Sequence, residues 1–151
     1  MPSGRRLAAG LLILAAASFA ASALFGPALL GVVGNGAAAL RFGLTLLPGR
    51  EPLISRYSRF DGAGVPVPRY TRHLTEAWAL LLGSFALAHA GLALTGHGTL
   101  VLALAEPPVC FAFFLGEHAL RNRRFPEHGP ATPLRTLRAI CLAHGVRRHA
   151  A

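Results

Sequence analysis

Apolar runs separated by segments whose only basic residue is arginine constrain this chain more than any other feature. Four blocks, Leu7–Phe25, Ala28–Leu47, Ala77–Thr95 and Thr99–Leu120, are rich in Leu and Ala. Each is close to the ~20 residues that a helix needs to cross ~30 Å of hydrocarbon. None alternates with the two-residue period of a membrane strand, which sets a β-barrel aside. Charge is sparse to match: 14% of the 151 residues are charged and 53% hydrophobic, where a soluble domain carries about 25% charged residues. The sequence therefore predicts an all-α, polytopic membrane protein with one membrane domain over residues 1–126 and a basic tail over 127–151.

The breaks between blocks divide the helices into two hairpins. Phe25-Gly26-Pro27 separates the first pair and Thr95-Gly96-His97-Gly98 the second, while a loop over residues 48–75 joins them. Such Gly and Pro clusters interrupt helices at short range. All fifteen basic residues are arginines, giving a formal net charge of +9. Fourteen fall at the N-terminus (Arg5, Arg6), in the central loop and in the tail, Arg41 lies near the end of the second block, and neither short turn holds one. Short cytoplasmic segments accumulate positive charge. The expected topology is four transmembrane helices with both ends and the central loop in the cytoplasm. Arginines lying between apolar blocks, rather than over a soluble surface, also set nucleic-acid binding aside. The first block has a second reading: Arg5-Arg6, an apolar run and Ala21-Ser22-Ala23 also fit a cleavable signal peptide, which would leave the other crossings unchanged.

Polar groups in hydrocarbon are costly and mark sites worth testing. Counted from the outer ends of their blocks at ~1.5 Å per residue, Asn35, His89 and Glu106 all lie roughly 10 Å below the outer surface. They are expected to meet as an intramembrane polar cluster, either a structural clamp or a proton- or substrate-handling pocket. Pro107-Pro108 follows Glu106 and predicts a kink. Further along, Glu106, Cys110, Phe113, Glu117 and Arg121 share one helical face, which should turn toward the bundle. Arg41 and Glu117 both come near the cytoplasmic boundary and form a candidate interface pair, with Arg41–Glu76 as the alternative.

The central loop reads as an interfacial surface. Leu53, Ile54, Tyr57 and Phe60 recur at helical spacing, so a short helix can lay them in lipid and leave arginines at the phosphates. Arg50, Arg56, Arg59, Arg69 and Arg72 are its candidate lipid- or partner-binding residues, with topology alone as the plain explanation of their charge. In the tail, Thr132 and Pro133 suit a helix start. Leu134, Leu137, Cys141 and His144 would form one face of a basic amphipathic helix. Cys110 and Cys141 lack metal or redox spacing, and no nucleophile–base–orienter set is present. No cofactor is expected, and an enzyme is the less favoured class.

The run Phe42-Gly43-Leu44-Thr45-Leu46-Leu47-Pro48-Gly49-Arg50-Glu51-Pro52-Leu53-Ile54-Ser55-Arg56 resembles a signature of a family of uncharacterised bacterial inner-membrane proteins. Arg69-Tyr70-Thr71-Arg72, Thr75, Trp78, Phe114-Leu115-Gly116-Glu117 and Phe125-Pro126 fit the same pattern. The resemblance spans roughly Pro27 to Pro126, and it departs at Glu76, where an aromatic residue would be expected. Members of this family are found in aryl-polyene pigment clusters beside fatty-acid-synthase-like enzymes. The resemblance implies a multi-pass inner-membrane accessory protein that supports lipid or polyene biosynthesis or export. Its partners would be membrane lipids and acidic acyl carrier proteins drawn to the basic loop. The alternative function is a small transporter or flippase subunit whose path is lined by Asn35, His89 and Glu106, with homo-oligomers supplying enough helices.

Overall fold

A computed structural model describes residues 26–61 and 67–149. The expected first crossing, Leu7–Phe25, lies outside the described residues. Within them every regular element is helical: α1 (Pro27–Leu44), α2 (Leu53–Ser58), α3 (Pro68–Thr95), α4 (Thr99–Arg124), a single 3₁₀ turn (Pro126–His128) and α5 (Pro133–His149). The chain is all-α over this span. Two helices, α3 and α4, are long and apolar enough to cross a membrane, while α1 contributes a shorter apolar helix, Ala28–Leu44.

Local chemistry sets these limits. Pro68 opens α3 after an extended Val67, as suits a residue with fixed φ and no amide hydrogen to leave unpaired. Helix therefore covers residues 68–75, which the sequence assigns to the central loop. The apolar pattern missed this turn because Arg69, Thr71, Arg72 and Thr75 make it polar. Thr71 and Thr75 are almost fully buried, and the Thr75 hydroxyl donates to the Thr71 carbonyl at 2.7 Å. In the same way α4 continues beyond Leu120 to Arg124, and α1 stops at Leu44 rather than Leu47. Pro107 and Pro108 lie inside α4, and the helix continues on both sides of them. The turn between α3 and α4 places Gly96 and Gly98 at φ +73° and +76°, a left-handed region that disfavours other residues.

The three long helices form an antiparallel layer. Phe42, near the end of α1, stacks on Trp78, in the first half of α3, with ring centroids 6.2 Å apart. Trp78 in turn meets Phe113 of α4 edge-on at 4.8 Å. α3 packs far more extensively against α1 than against its sequence neighbour α4. α2 and α5 cover the end of the layer where α1 stops and α3 begins. α5 starts as its sequence suggests, with the Thr132 hydroxyl accepting from the Arg135 amide at 3.4 Å. The helix docks through the face opposite Leu134 and Leu137. Ala139 and Ala143 are buried, whereas Leu134 and Leu137 are exposed. Small residues let α5 approach closely, and the larger apolar ones point away from the protein.

Burial is inverted relative to a water-soluble protein. The buried polar set is Asn35, Asp61, Thr71, Thr75, His89, His118 and Arg121. The buried apolar set is only Leu53, Ala131, Ala139 and Ala143 among the described residues. Meanwhile Leu80, Leu87, Leu94, Leu100, Val101, Leu104 and Phe111 are exposed. Apolar exposure on this scale marks a surface that meets lipid or another protein.

Candidate functional site

Asn35, His89 and Glu106 converge from α1, α3 and α4. The Asn35 amide donates to both Glu106 carboxylate oxygens at 3.0 Å and to the Gly31 carbonyl at 3.0 Å. One of its hydrogens thus closes a helical turn and the other bridges the carboxylate. His89 Nε2 lies 2.9 Å from Glu106 Oε2. With Nε2 donating there, Nδ1 is a bare acceptor, and it has no hydrogen-bond partner among the described residues. His89 is 1% exposed. Its ring fits only because residue 31 is glycine: a Cβ at Gly31 would collide with three of the ring atoms.

A second polar centre sits at the other end of the layer and was not foreseen as a unit. Arg121 of α4 pairs with Asp61, from the loop after α2, at 3.4 Å and with Glu117 at 3.6 Å. Glu117 also contacts His118 Nδ1 at 3.0 Å and accepts from the Tyr70 hydroxyl at 3.3 Å. His118 Nδ1 faces the Phe114 carbonyl at 2.7 Å as well. Two oxygens facing Nδ1 call for its hydrogen there, and Nε2 lies 2.9 Å from the Thr136 hydroxyl. Arg121 donates to the same Thr136 hydroxyl at 3.3 Å, and Arg135 approaches Asp61 at 3.6 Å. This network joins α3, α4, the α2 loop and α5. Helical periodicity puts Arg121 on the inward face with Glu117, but nothing local to Asp61 marks it as a partner 60 residues away in sequence.

Beside this network lies a cavity of about 270 Å³. All five helices line it: Phe42, Ile54, Tyr57, Leu74, Trp78, Leu82, Phe114, Ala139 and Ile140 form apolar walls, and Asp61, Glu117, Arg121 and Thr136 a charged end. Mostly apolar walls with a few convergent polar groups are the general form of a small-molecule site.

Arg41 and Glu117 do not pair. Arg41 Nη2 donates to the Tyr57 hydroxyl at 3.2 Å and to His144 Nε2 at 2.6 Å, while Glu117 is taken up by Tyr70, His118 and Arg121. Glu76 pairs with Arg72 at 3.1 Å, so the alternative partner for Arg41 is also engaged elsewhere. The loop arginines divide by task. Arg50 donates to the Leu44 carbonyl at 3.4 Å and Arg72 to the Leu46 carbonyl at 3.0 Å, covering acceptors that the end of α1 leaves open. Arg59 and Arg56 approach Glu51 at 2.8 and 3.7 Å. Arg69 is exposed. Among the described residues no three His, Cys, Asp or Glu side chains converge to hold a metal ion.

No protein family, curated protein or solved structure matches the chain.

Proposed function

We propose that this chain is a multi-pass inner-membrane accessory protein that holds one amphiphilic chain, acyl or polyenyl, for membrane-associated lipid or polyene synthesis or export. The observation that carries this reading is the cavity shared by all five helices. Its aromatic and aliphatic walls suit a hydrocarbon or polyene segment, and its Arg121–Glu117–Asp61 end suits a polar head. A volume of about 270 Å³ admits a short segment rather than a whole lipid, being just below the usual range of ligand pockets.

The reading includes four crossings with both ends and the central loop in the cytoplasm. Inverted burial and the confinement of arginine to alternate segments support it. It also includes the aryl-polyene setting, supported by the resemblance of residues 42–56, and an acidic acyl carrier protein as partner, supported by the exposed Arg59 and Arg69.

Trp78 is the chain's single tryptophan and forms part of the cavity wall, so its fluorescence reports occupancy. A conjugated polyenoic acid titrated into the detergent-solubilised protein should quench it saturably, and Leu74→Phe, which fills the cavity, should abolish saturation. Linear quenching that ignores Leu74→Phe would show partition into the micelle and defeat the proposal.

A second reading is favoured by the buried Asn35–Glu106–His89 cluster: a small transporter or flippase subunit with a polar path. Glu106→Gln with undiminished export of product would remove that role.

A further inference from the structure

On the outer side of α1, two adjoining hollows share Arg41 and Leu53 as a common wall. One, of about 300 Å³, is lined by Arg41, Arg50, Arg56 and Glu51. The other, of about 340 Å³, is lined by Ala37, Ala38, Phe42 and Tyr57. The first is basic. Glu51 is already held by Arg59 and Arg56, and neither Arg41 nor Arg50 has a carboxylate partner among the described ion pairs. The negative end of the α1 helix does not oppose an anion here, because Arg50 and Arg72 cover the carbonyls of Leu44 and Leu46. Arg41 is held in place through one nitrogen by Tyr57 and by His144, whose own Nδ1 donates to the Ile140 carbonyl at 2.7 Å. The second hollow is apolar and continues from the first toward the middle of α1.

We propose that this pair of hollows is a binding site for an anionic phospholipid of the cytoplasmic leaflet, with its phosphate on Arg41, Arg50 and Arg56 and an acyl chain along Ala37, Ala38 and Phe42. Guanidinium forks match phosphate geometry, and the apolar groove beside them selects a lipid over free phosphate. The site's basic hollow has no residue in common with the central cavity, while its apolar hollow meets that cavity across Phe42 and Tyr57. It rests on the membrane placement in the proposed function but not on any amphiphile filling that cavity.

The test uses the full chain purified in detergent, with phosphatidylglycerol, phosphatidylcholine, glycerol 3-phosphate and inorganic phosphate as probes and native mass spectrometry as readout. Phosphatidylglycerol should bind in preference to phosphatidylcholine. Arg41→Gln and Arg50→Gln should each weaken it about tenfold, the size of one charge-assisted contact. Arg41→Lys, which keeps the charge and loses the fork, should fall between. Ala38→Phe, which fills the groove without changing charge, should weaken it too, and provides the test if an arginine variant fails to fold. Arg123→Gln, which removes an exposed arginine on α4, should bind as the parent does. If Arg123→Gln weakens binding as much as Arg41→Gln, bulk charge is responsible and the site is refuted. If inorganic phosphate competes while Ala38→Phe binds normally, the site recognises phosphate alone and the lipid assignment fails. Membrane placement fails separately, if the chain is recovered from lysed cells without detergent.

Discussion

The His89 ring packs against Gly31, at a point where α1 has no side chain and α3 brings its most deeply buried large one. This contact sets how closely the two helices approach, and it presents Nε2 to Glu106. Small residues at helix crossings in membranes serve this end generally.

Gly31→Ala should therefore destabilise the protein although alanine is the better helix former. The helix-propensity gain is at most about 1 kcal/mol, while forcing a methyl into a packed contact costs about 1–3 kcal/mol. Adding His89→Ala should recover part of the loss. A double-mutant cycle on denaturation midpoints checks this, and additive effects would show that the ring and the glycine do not interact.

Asn35→Ala removes two bonds to Glu106 and one to the Gly31 carbonyl. Hydrogen bonds in membranes average about 0.6 kcal/mol, so a loss of about 1–2 kcal/mol is expected in reversible detergent unfolding. Glu106→Gln keeps an acceptor for Asn35 and should be milder. A larger loss for Gln than for Asn35→Ala would mean that the carboxylate charge, not its acceptors, holds the cluster.

Arg121→Gln should be the most damaging single change proposed here. It leaves Asp61 and Glu117 buried, at 3% and 8% side-chain exposure, without their shared cation. Losing one partner of such a pair costs about 3–5 kcal/mol. Because Arg121 also bonds Thr136, the variant should release α5, seen as faster limited proteolysis beyond Gly129. Unchanged cleavage would separate α5 docking from the ion network.

The two native cysteines allow a test of sidedness. Cys141 is exposed on α5 and Cys110 lies mid-α4. A membrane-impermeant maleimide should label Cys141 in inverted inner-membrane vesicles and not in intact spheroplasts, with Cys141→Ser as the control. Labelling from the outside would reverse the proposed topology, as would a cytoplasmic reporter signal at Gly96.

What the sequence made visible follows from how local each signal is. The Asn35–His89–Glu106 meeting could be read from depth along three helices, since rise per residue is uniform. The start of α5 could be read from Thr132-Pro133, a contact of three residues. The face Glu106–Cys110–Phe113–Glu117–Arg121 was legible by periodicity, and four of its five residues turn inward, toward His89, Trp78, Tyr70 and Asp61, with Cys110 half-buried. Long-range choices were not legible. Arg41 had several partners within reach in principle, and Tyr57 and His144 hold it, the latter 103 residues away. The start of α3 was obscured because its first turns are polar on a helix judged by apolarity. The docked face of α5 was hidden because alanines rather than leucines make the contact.

Chain order adds a consequence for the central cavity. Four of its five walls, from α1 to α4, precede α5 in the chain, and α5 supplies Thr136, Ala139 and Ile140. Polypeptides emerge N-terminus first. The α5 wall is therefore the last of these five to be made, and it is fastened through Arg121, His118 and Arg135. Loosening those three contacts should widen the chamber at its charged end while leaving the four earlier walls as they are.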